Sequence, residues 1–362
     1  MTIRVLVVDD SRFICARIKE ALEEDAEFSV IGVARNGREA VTMAAALEPD
    51  VITMDVDMPE MDGIEAVRRI MSSTPCPILM FSAMTHVGAQ ATWNALNAGA
   101  IDFLPKQLQD IDSDRLAAKA MLRFRVRMVA KEADRLRARC RLPLNTEAGS
   151  VVKNRNYPTP AGSAWLRQNA GCSPNADLLV IAASTGGPVA IQQILTQIPA
   201  ACRIPVLLVQ HMPQNFTKSF AERLDQLCQI RVAEANNGDL LQAGTALLAP
   251  GGMQLQLKNY AGGLQIVLTA KQASELYSPC VDITFTSLAE QFAGKVLAIV
   301  LTGMGSDGAK GAAKLKQKGA EIWAQDEASC TVYGMPKAVA DARLADKIYS
   351  LNDIANALKK LN

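Results

Sequence analysis

The chain has 362 residues, 49% apolar and 21% charged, enough length for two domains and enough apolar mass for packed cores, which excludes a wholly disordered or collagen-like chain. Lys and Arg number 38 against 37 Asp and Glu, a net charge of +1, so no global field favours nucleic acid or membrane. The eight cysteines are too widely spaced for a zinc knuckle or redox dithiol and suit a reduced, cytoplasmic protein. The start, MTIRVLVVDD, meets two acids too early for a signal peptide, and no run approaches spanning length, so neither export nor membrane insertion is expected. Two histidines, His86 and His211, exclude a multi-histidine metal site and leave few candidates for a general base.

From residue 3 to about 111, short β-rich runs (IRVLVV, FSVIGV, VITM, PILMFS, IDFL) alternate with helix-like segments, the pattern of a five-stranded parallel α/β domain. Asp9 and Asp10 follow the first strand and Asp55 the third, in MDVDMPEMDG. Loops after strand C-termini line one crevice in such a sheet, so the three carboxylates should converge. Converging carboxylates repel unless a hard cation holds them, and Mg²⁺ suits phosphoryl transfer to Asp55. Ser82 and Lys106, at the ends of the fourth and fifth strands, are placed to hold a phosphoryl oxygen and pair with its charge.

On these residues the N-terminal part, residues 1–111, resembles a response-regulator receiver domain of flavodoxin-like fold. The resemblance implies Asp55 as phosphoacceptor, Asp9, Asp10 and Asp55 as the Mg²⁺ site, Ser82 and Phe103 as switch residues and Lys106 as the phosphoryl contact. One departure is visible: the family usually has Pro after the Lys, whereas Pro105 precedes Lys106 and Gln107 follows it.

Between residues 115 and 141 stand ten Lys/Arg against Glu132 and Asp134. The stretch reads as a basic helix with a solvated face. Residues 142–175 mix Pro, Gly, Ser and Asn without periodicity, as linkers do, so 112–175 is expected to be helix and tether. Docking on an acidic partner is a weaker reading, and nucleic acid weaker still, because Phe124 is the one aromatic in the run that could stack on a base.

A second α/β rhythm starts at residue 176 with LLVIAA, VLLVQH, ALLAP, KVLAIVLT and AEIWAQ. After the first of these runs, Ser184-Thr185-Gly186-Gly187 leads into a helix. A serine on such a turn is exposed beside backbone donors and becomes a nucleophile if a base reaches it; the glycines fit a phosphate cradle or a plain tight turn equally. His211 ends VLLVQH, and if the two strands are parallel neighbours it emerges beside Ser184. Asp307, in GMGSDG after KVLAIVLT, is placed to orient the imidazole. That loop also spells G-x-G-x-x-G through Gly303, Gly305 and Gly308, with Asp326 ending the next strand, so dinucleotide binding over 303–326 stays an alternative on spacing alone.

Residues 176–362 resemble the catalytic domain of the CheB family, the chemotaxis-type protein-glutamate methylesterases. The stretches that carry it are ASTGGP (183–188), QHMP (210–213), LLAPGG (247–252), SPCVD (278–282), LTGMGSDGA (301–309) and EASCTVYGMP (327–336). The resemblance implies a doubly wound, mainly parallel α/β hydrolytic domain with a small β-hairpin. It assigns Ser184, His211 and Asp307 as triad, with Thr185 and Met304 flanking the oxyanion. It further implies methyl-accepting chemoreceptors as substrate, a CheA-type histidine kinase as phosphodonor, hydrolysis of glutamyl methyl esters with glutamine deamidation as a second activity, and no cofactor for the ester reaction. A tethered receiver has a high effective concentration beside its neighbour, so it is expected to restrict the Ser184 site until phosphorylated. Ala182 stands where the family usually has Gly, and Tyr277-Ser278 where it has His-Arg. A phosphorylation-gated receptor-binding module without catalysis is the other reading those departures leave open.

Overall fold

A computed structural model describes residues 2–82, 86–106, 115–133, 176–260, 263–272 and 275–361. The expected linker, residues 142–175, and the basic run beyond 133 lie outside the described residues.

The first domain alternates strand and helix: β1 (Ile3–Val8), α1 (Arg12–Glu23), β2 (Phe28–Ala34), α2 (Gly37–Leu47), β3 (Val51–Asp55), α3 (Gly63–Ser73), β4 (Ile78–Ser82), α4 (His86–Asn97), β5 (Asp102–Pro105) and α5 (Arg115–Ala130). The strands form one parallel sheet in the order β2-β1-β3-β4-β5. Covered on both faces, its central strands are mostly apolar. Ser11, Asn36 and Asp62 cap α1, α2 and α3 through their side chains, which stops each strand-to-helix loop at a fixed place.

The described part of the basic run is not the solvated face its composition suggests. Helix α5 packs on α1, and four of its charges are paired: Lys119 and Arg123 with Glu24, Arg127 with Glu27 at 2.7 Å and Asp25 at 3.2 Å, and Arg125 with Asp102.

The second domain contains β6 (Leu178–Ala183), α6 (Gly187–Leu195), β7 (Val206–Gln210), α7 (Gln214–Leu227), β8 (Arg231–Glu234), β9 (Thr245–Leu248), β10 (Met253–Tyr260), β11 (Gly263–Ala270), α8 (Val281–Gln291), β12 (Val296–Val300), α9 (Ala309–Gln317), β13 (Glu321–Gln325), α10 (Met335–Asp341), β14 (Lys347–Tyr349) and α11 (Leu351–Leu358). Seven strands make a parallel sheet in the order β14-β13-β12-β6-β7-β9-β8, while β10 and β11 form a separate antiparallel hairpin. From β6 the chain winds outward through β7, then returns to the other side of β6 with β12. That reversal leaves a crevice beyond the C-terminal ends of β6, β7 and β12.

The two domains share one apolar core. Trp93 of α4 and Phe103 of β5 meet Phe216 and Phe220 of α7, with Trp93–Phe220 centroids 4.9 Å apart and Phe103–Phe216 4.6 Å apart. Trp93 Nε1 donates to Ser219 Oγ at 3.2 Å. Among the described residues no helix is long and apolar enough to cross a membrane.

Candidate active site

Ser184 is the first residue beyond β6. Its N–H donates to Thr302 O at 3.1 Å, and its carbonyl accepts from Gly187 N and Gln210 Nε2, each at 2.8 Å. Gly186 makes this turn possible: at φ 75° it lies where L side chains are strained, and a Cβ would stand 2.4 Å from Thr331 Oγ1. His211 follows β7, and its N–H donates to Ala183 O at 3.1 Å. The parallel register, Ala183 opposite Gln210, therefore brings Ser184 and His211 to the same sheet edge.

Asp307 arrives from the loop after β12, and His211 Nε2 lies 2.7 Å from Asp307 Oδ2. The same oxygen accepts from Val281 N at 2.7 Å, while Oδ1 accepts from Asp282 N at 2.9 Å and Cys280 Sγ at 3.2 Å. The carboxylate thus sits on the N-terminus of α8, where unpaired amides and the helix dipole favour an anion. Burial alone would raise its pKa; the hydrogen bond and charge of His211, with the two amides, outweigh burial and hold it below the usual carboxylate value. Burial and the nearby Asp307 push the Cys280 thiol up to about 12, so it stays a proton donor. His211 Nδ1 is buried and has no hydrogen-bond partner among the described residues. Tyr277 lies flat on the imidazole, centroids 4.2 Å apart and planes 6° from parallel.

Thr185 and Met304 are both buried, in the turns after β6 and β12. Thr185 Oγ1 is bound from the first domain, donating to Asp102 Oδ2 at 2.8 Å and accepting from Arg125 Nη1 at 3.0 Å. The GMGSDG loop packs against this site: a Cβ on Gly303 would stand 2.9 Å from Ser184 Cβ, and Asp307 is taken up by His211 and α8.

In the first domain, ligand oxygens of Asp9, Asp10 and Asp55 lie within 4.8 Å of one another. Lys106 Nζ is 2.6 Å from Asp55 Oδ2 and 2.8 Å from Asp9 Oδ2, so Pro105 ahead of it does not keep the lysine from the cluster. Burial raises the Asp55 pKa to about 6 against the lowering effect of Lys106. Three carboxylates, among them one that a single ammonium does not fully stabilise, fit a hard divalent cation. Ser82 Oγ donates to Gly88 O at 3.0 Å, and Phe103 is buried against α7.

Both halves of the chain match known proteins. The CheB methylesterase family profile covers residues 179–358, and the response regulator receiver domain profile covers residues 5–120. A protein-glutamate methylesterase/protein-glutamine glutaminase of Idiomarina loihiensis is 48% identical across 99% of this chain and 98% of its own length. The chain belongs to the CheB methylesterase family. Another such protein, from Pseudomonas aeruginosa, is also 48% identical over 99% of both chains. The crystal structure of the Thermotoga maritima CheB methylesterase catalytic domain superposes with a TM-score of 0.50 at 38% identity, covering 52% of this chain and all of that one.

In this CheB-family chain, Ala182 is paired within β6 to Val209 and Val300, and its side chain is absorbed in the core. The sequence did not mark Asp102 or Arg125, whose hold on Thr185 arises from domain packing. Nor did it mark the Cys280-Val281-Asp282 donors on Asp307, although SPCVD is among the motif stretches and a helix start beside a carboxylate is the signal that would have found them.

Proposed function

We propose that the chain hydrolyses methyl esters of glutamyl side chains on chemoreceptors, with Ser184 as nucleophile, His211 as general base and Asp307 as the carboxylate that fixes the imidazole. The observation that carries this is the 2.7 Å contact of His211 Nε2 with Asp307, which assigns the proton of the neutral ring to Nε2 and leaves the bare Nδ1 as base. Nδ1 takes the Ser184 proton as Oγ attacks the ester carbonyl. The tetrahedral oxyanion is met by backbone donors at Thr185 and Met304. The C–OCH₃ bond then breaks, and methanol leaves with the proton from Nδ1. Water repeats the cycle: it gives a proton to Nδ1, attacks the acyl carbon, and Ser184 departs reprotonated. The product is a glutamate carboxylate, one negative charge more per turnover.

A glutamine amide fits the same steps with ammonia as leaving group, and the dual names of the relatives favour this second activity. Regulation follows from the receiver. Asp55 accepts the phosphoryl group from a CheA-type histidine kinase, with Asp9, Asp10 and Asp55 holding Mg²⁺, which would neutralise charge on the transferred group. Lys106 pairs with the product, and Ser82 and Phe103 move in response. This reading places the protein in the cytoplasm with its kinase, in keeping with the free thiols of six described cysteines. Methanol release from methylated receptor, with and without a small-molecule phosphodonor, tests it; a folded wild-type chain that releases none rules it out.

A further inference from the structure

His211 holds Asp307 by a single ring hydrogen bond, and its other nitrogen is unpartnered among the described residues. A ring tied at one atom is free to turn about its last side-chain torsion, which is broad for imidazole, unless a neighbour walls it in. Tyr277 is that wall, stacked 4.2 Å away and 6° from parallel, so that rotation out of plane drives the imidazole into the phenol ring.

The wall is itself anchored. Next to Tyr277, Leu276 is 82% exposed, so apolar packing of that side chain does not hold the loop down. Gln254, 1% exposed on β10, does so instead. Its Nε2 donates to Tyr277 O and to Glu275 Oε2, each at 2.8 Å, and its Oε1 accepts from Cys280 N at 2.8 Å. One buried amide therefore ties the loop on both sides of Tyr277, and Gly252 N adds a bond to Ser278 O at 3.1 Å. Breaking such an amide leaves buried polar groups unpaired, which is why its geometry is firm.

We propose that Tyr277 is a positioning residue for His211, keeping Nε2 on Asp307 and Nδ1 free for the serine proton, and that Gln254 of the hairpin sets Tyr277. The proposal rests on the Ser-His-Asp reading above. It assigns the work to the ring and none to the hydroxyl. When Nδ1 takes a proton the imidazole becomes a cation against an aromatic face, an attraction gained on the way to the transition state. Its loss falls on kcat and leaves KM alone.

The test uses the whole chain labelled with ¹⁵N in its two histidines, the His86 signals being assigned by the His86→Gln variant. Wild type is expected to give a single His211 tautomer, protonated at Nε2. Tyr277→Phe should keep that spectrum, with kcat within about twofold. Tyr277→Leu should average the two ring-nitrogen signals and lower kcat about tenfold at nearly constant KM. Gln254→Ala should move the spectrum the same way, and Gln254→Asn serves in its place if the alanine variant does not fold. An unchanged ring spectrum and kcat in folded Tyr277→Leu overturns the proposal, as does a Phe variant that falls as far as the Leu variant. The spectrum is read without substrate. A wild-type chain with an ordered ring and no methanol release therefore defeats the proposed function, whereas a ring indifferent to Tyr277 in an active esterase defeats only the positioning role.

Discussion

Thr185 Oγ1, one residue from the proposed nucleophile, donates a 2.8 Å hydrogen bond to Asp102 Oδ2 in the other domain. Asp102 opens β5, the strand that also carries Phe103 and leads to Lys106. The strand whose far end touches Asp55 therefore grips the turn beside Ser184 with its near end. Arg125 closes the knot by binding both partners. A pull on Lys106 or Phe103 when Asp55 is phosphorylated has a short, stiff path to the hydrolytic site.

Asp102→Ala is expected to raise methanol release by the unphosphorylated chain severalfold, since it removes a hydrogen bond to a charged group, worth about 1.5–3 kcal/mol, from the closed arrangement only. Trp93→Ala should act in the same direction by emptying the aromatic contact with Phe216 and Phe220. Basal rates at or below wild type in both folded variants would show that the receiver does not restrain the site through this surface.

Ser184→Ala should fold normally and lose methanol release, keeping only the roughly 10³ to 10⁴-fold contribution that binding and the oxyanion site give without a nucleophile. Asp307→Asn should lower kcat by about 10⁴ with little change in receptor affinity, because the amide presents the wrong group to His211 Nε2. Steady-state kinetics on methylated receptor check both. Near-normal turnover in Ser184→Ala removes the assignment.

How far the sequence revealed this can be judged residue by residue. Strands such as β6 and β12 announce themselves because a doubly covered parallel strand is wholly apolar. The short strands β8 and β14 do not, being partly polar at the edges of the sheet. Asp9, Asp55, Ser184, His211 and Asp307 were legible because each ends or follows a strand, where topology alone brings side chains together. Asp102 and Arg125 were not, since their partner Thr185 lies 83 and 60 residues away across a domain boundary, and no local pattern encodes that docking. Tyr277 was noticed as a departure, but its stack on His211 depends on a loop tied down by Gln254 from a separate hairpin.

The Asp307 carboxyl has a folded pKa below its unfolded value, so it contributes stability above the ordinary carboxylate pKa of about 3.9 and loses it as pH falls through the lower folded value. The margin in melting temperature of wild type over Asp307→Asn should thus be largest above about pH 4 and shrink in more acidic buffers. Thermal melts at stepped pH measure it. A margin that instead grows on acidification would mean that the helix α8 amides and His211 do not stabilise the charged form.

Phosphorylation is expected to open the site because of where the switch residues now sit. Ser82 Oγ is engaged with Gly88 O of α4, and Phe103 is packed on Phe216 of the second domain. A phosphoryl group on Asp55 adds negative charge and strong acceptors beside Lys106, and drawing Ser82 toward them gives up its bond to α4. Phe103 following inward would leave Phe216 with Trp93 as its remaining aromatic partner from the first domain. The closed arrangement loses by as much as the phosphorylated receiver prefers the other conformation. Three outcomes are linked: a small-molecule phosphodonor raises methanol release in wild type, Asp55→Asn abolishes that rise while keeping basal activity, and chelation of divalent cations does the same as Asp55→Asn. Asp102→Ala, already released, should respond less than wild type. If the phosphodonor stimulates Asp55→Asn as strongly as wild type, the acidic cluster is not the input; if it stimulates Asp102→Ala undiminished, the signal reaches Ser184 by a route other than β5.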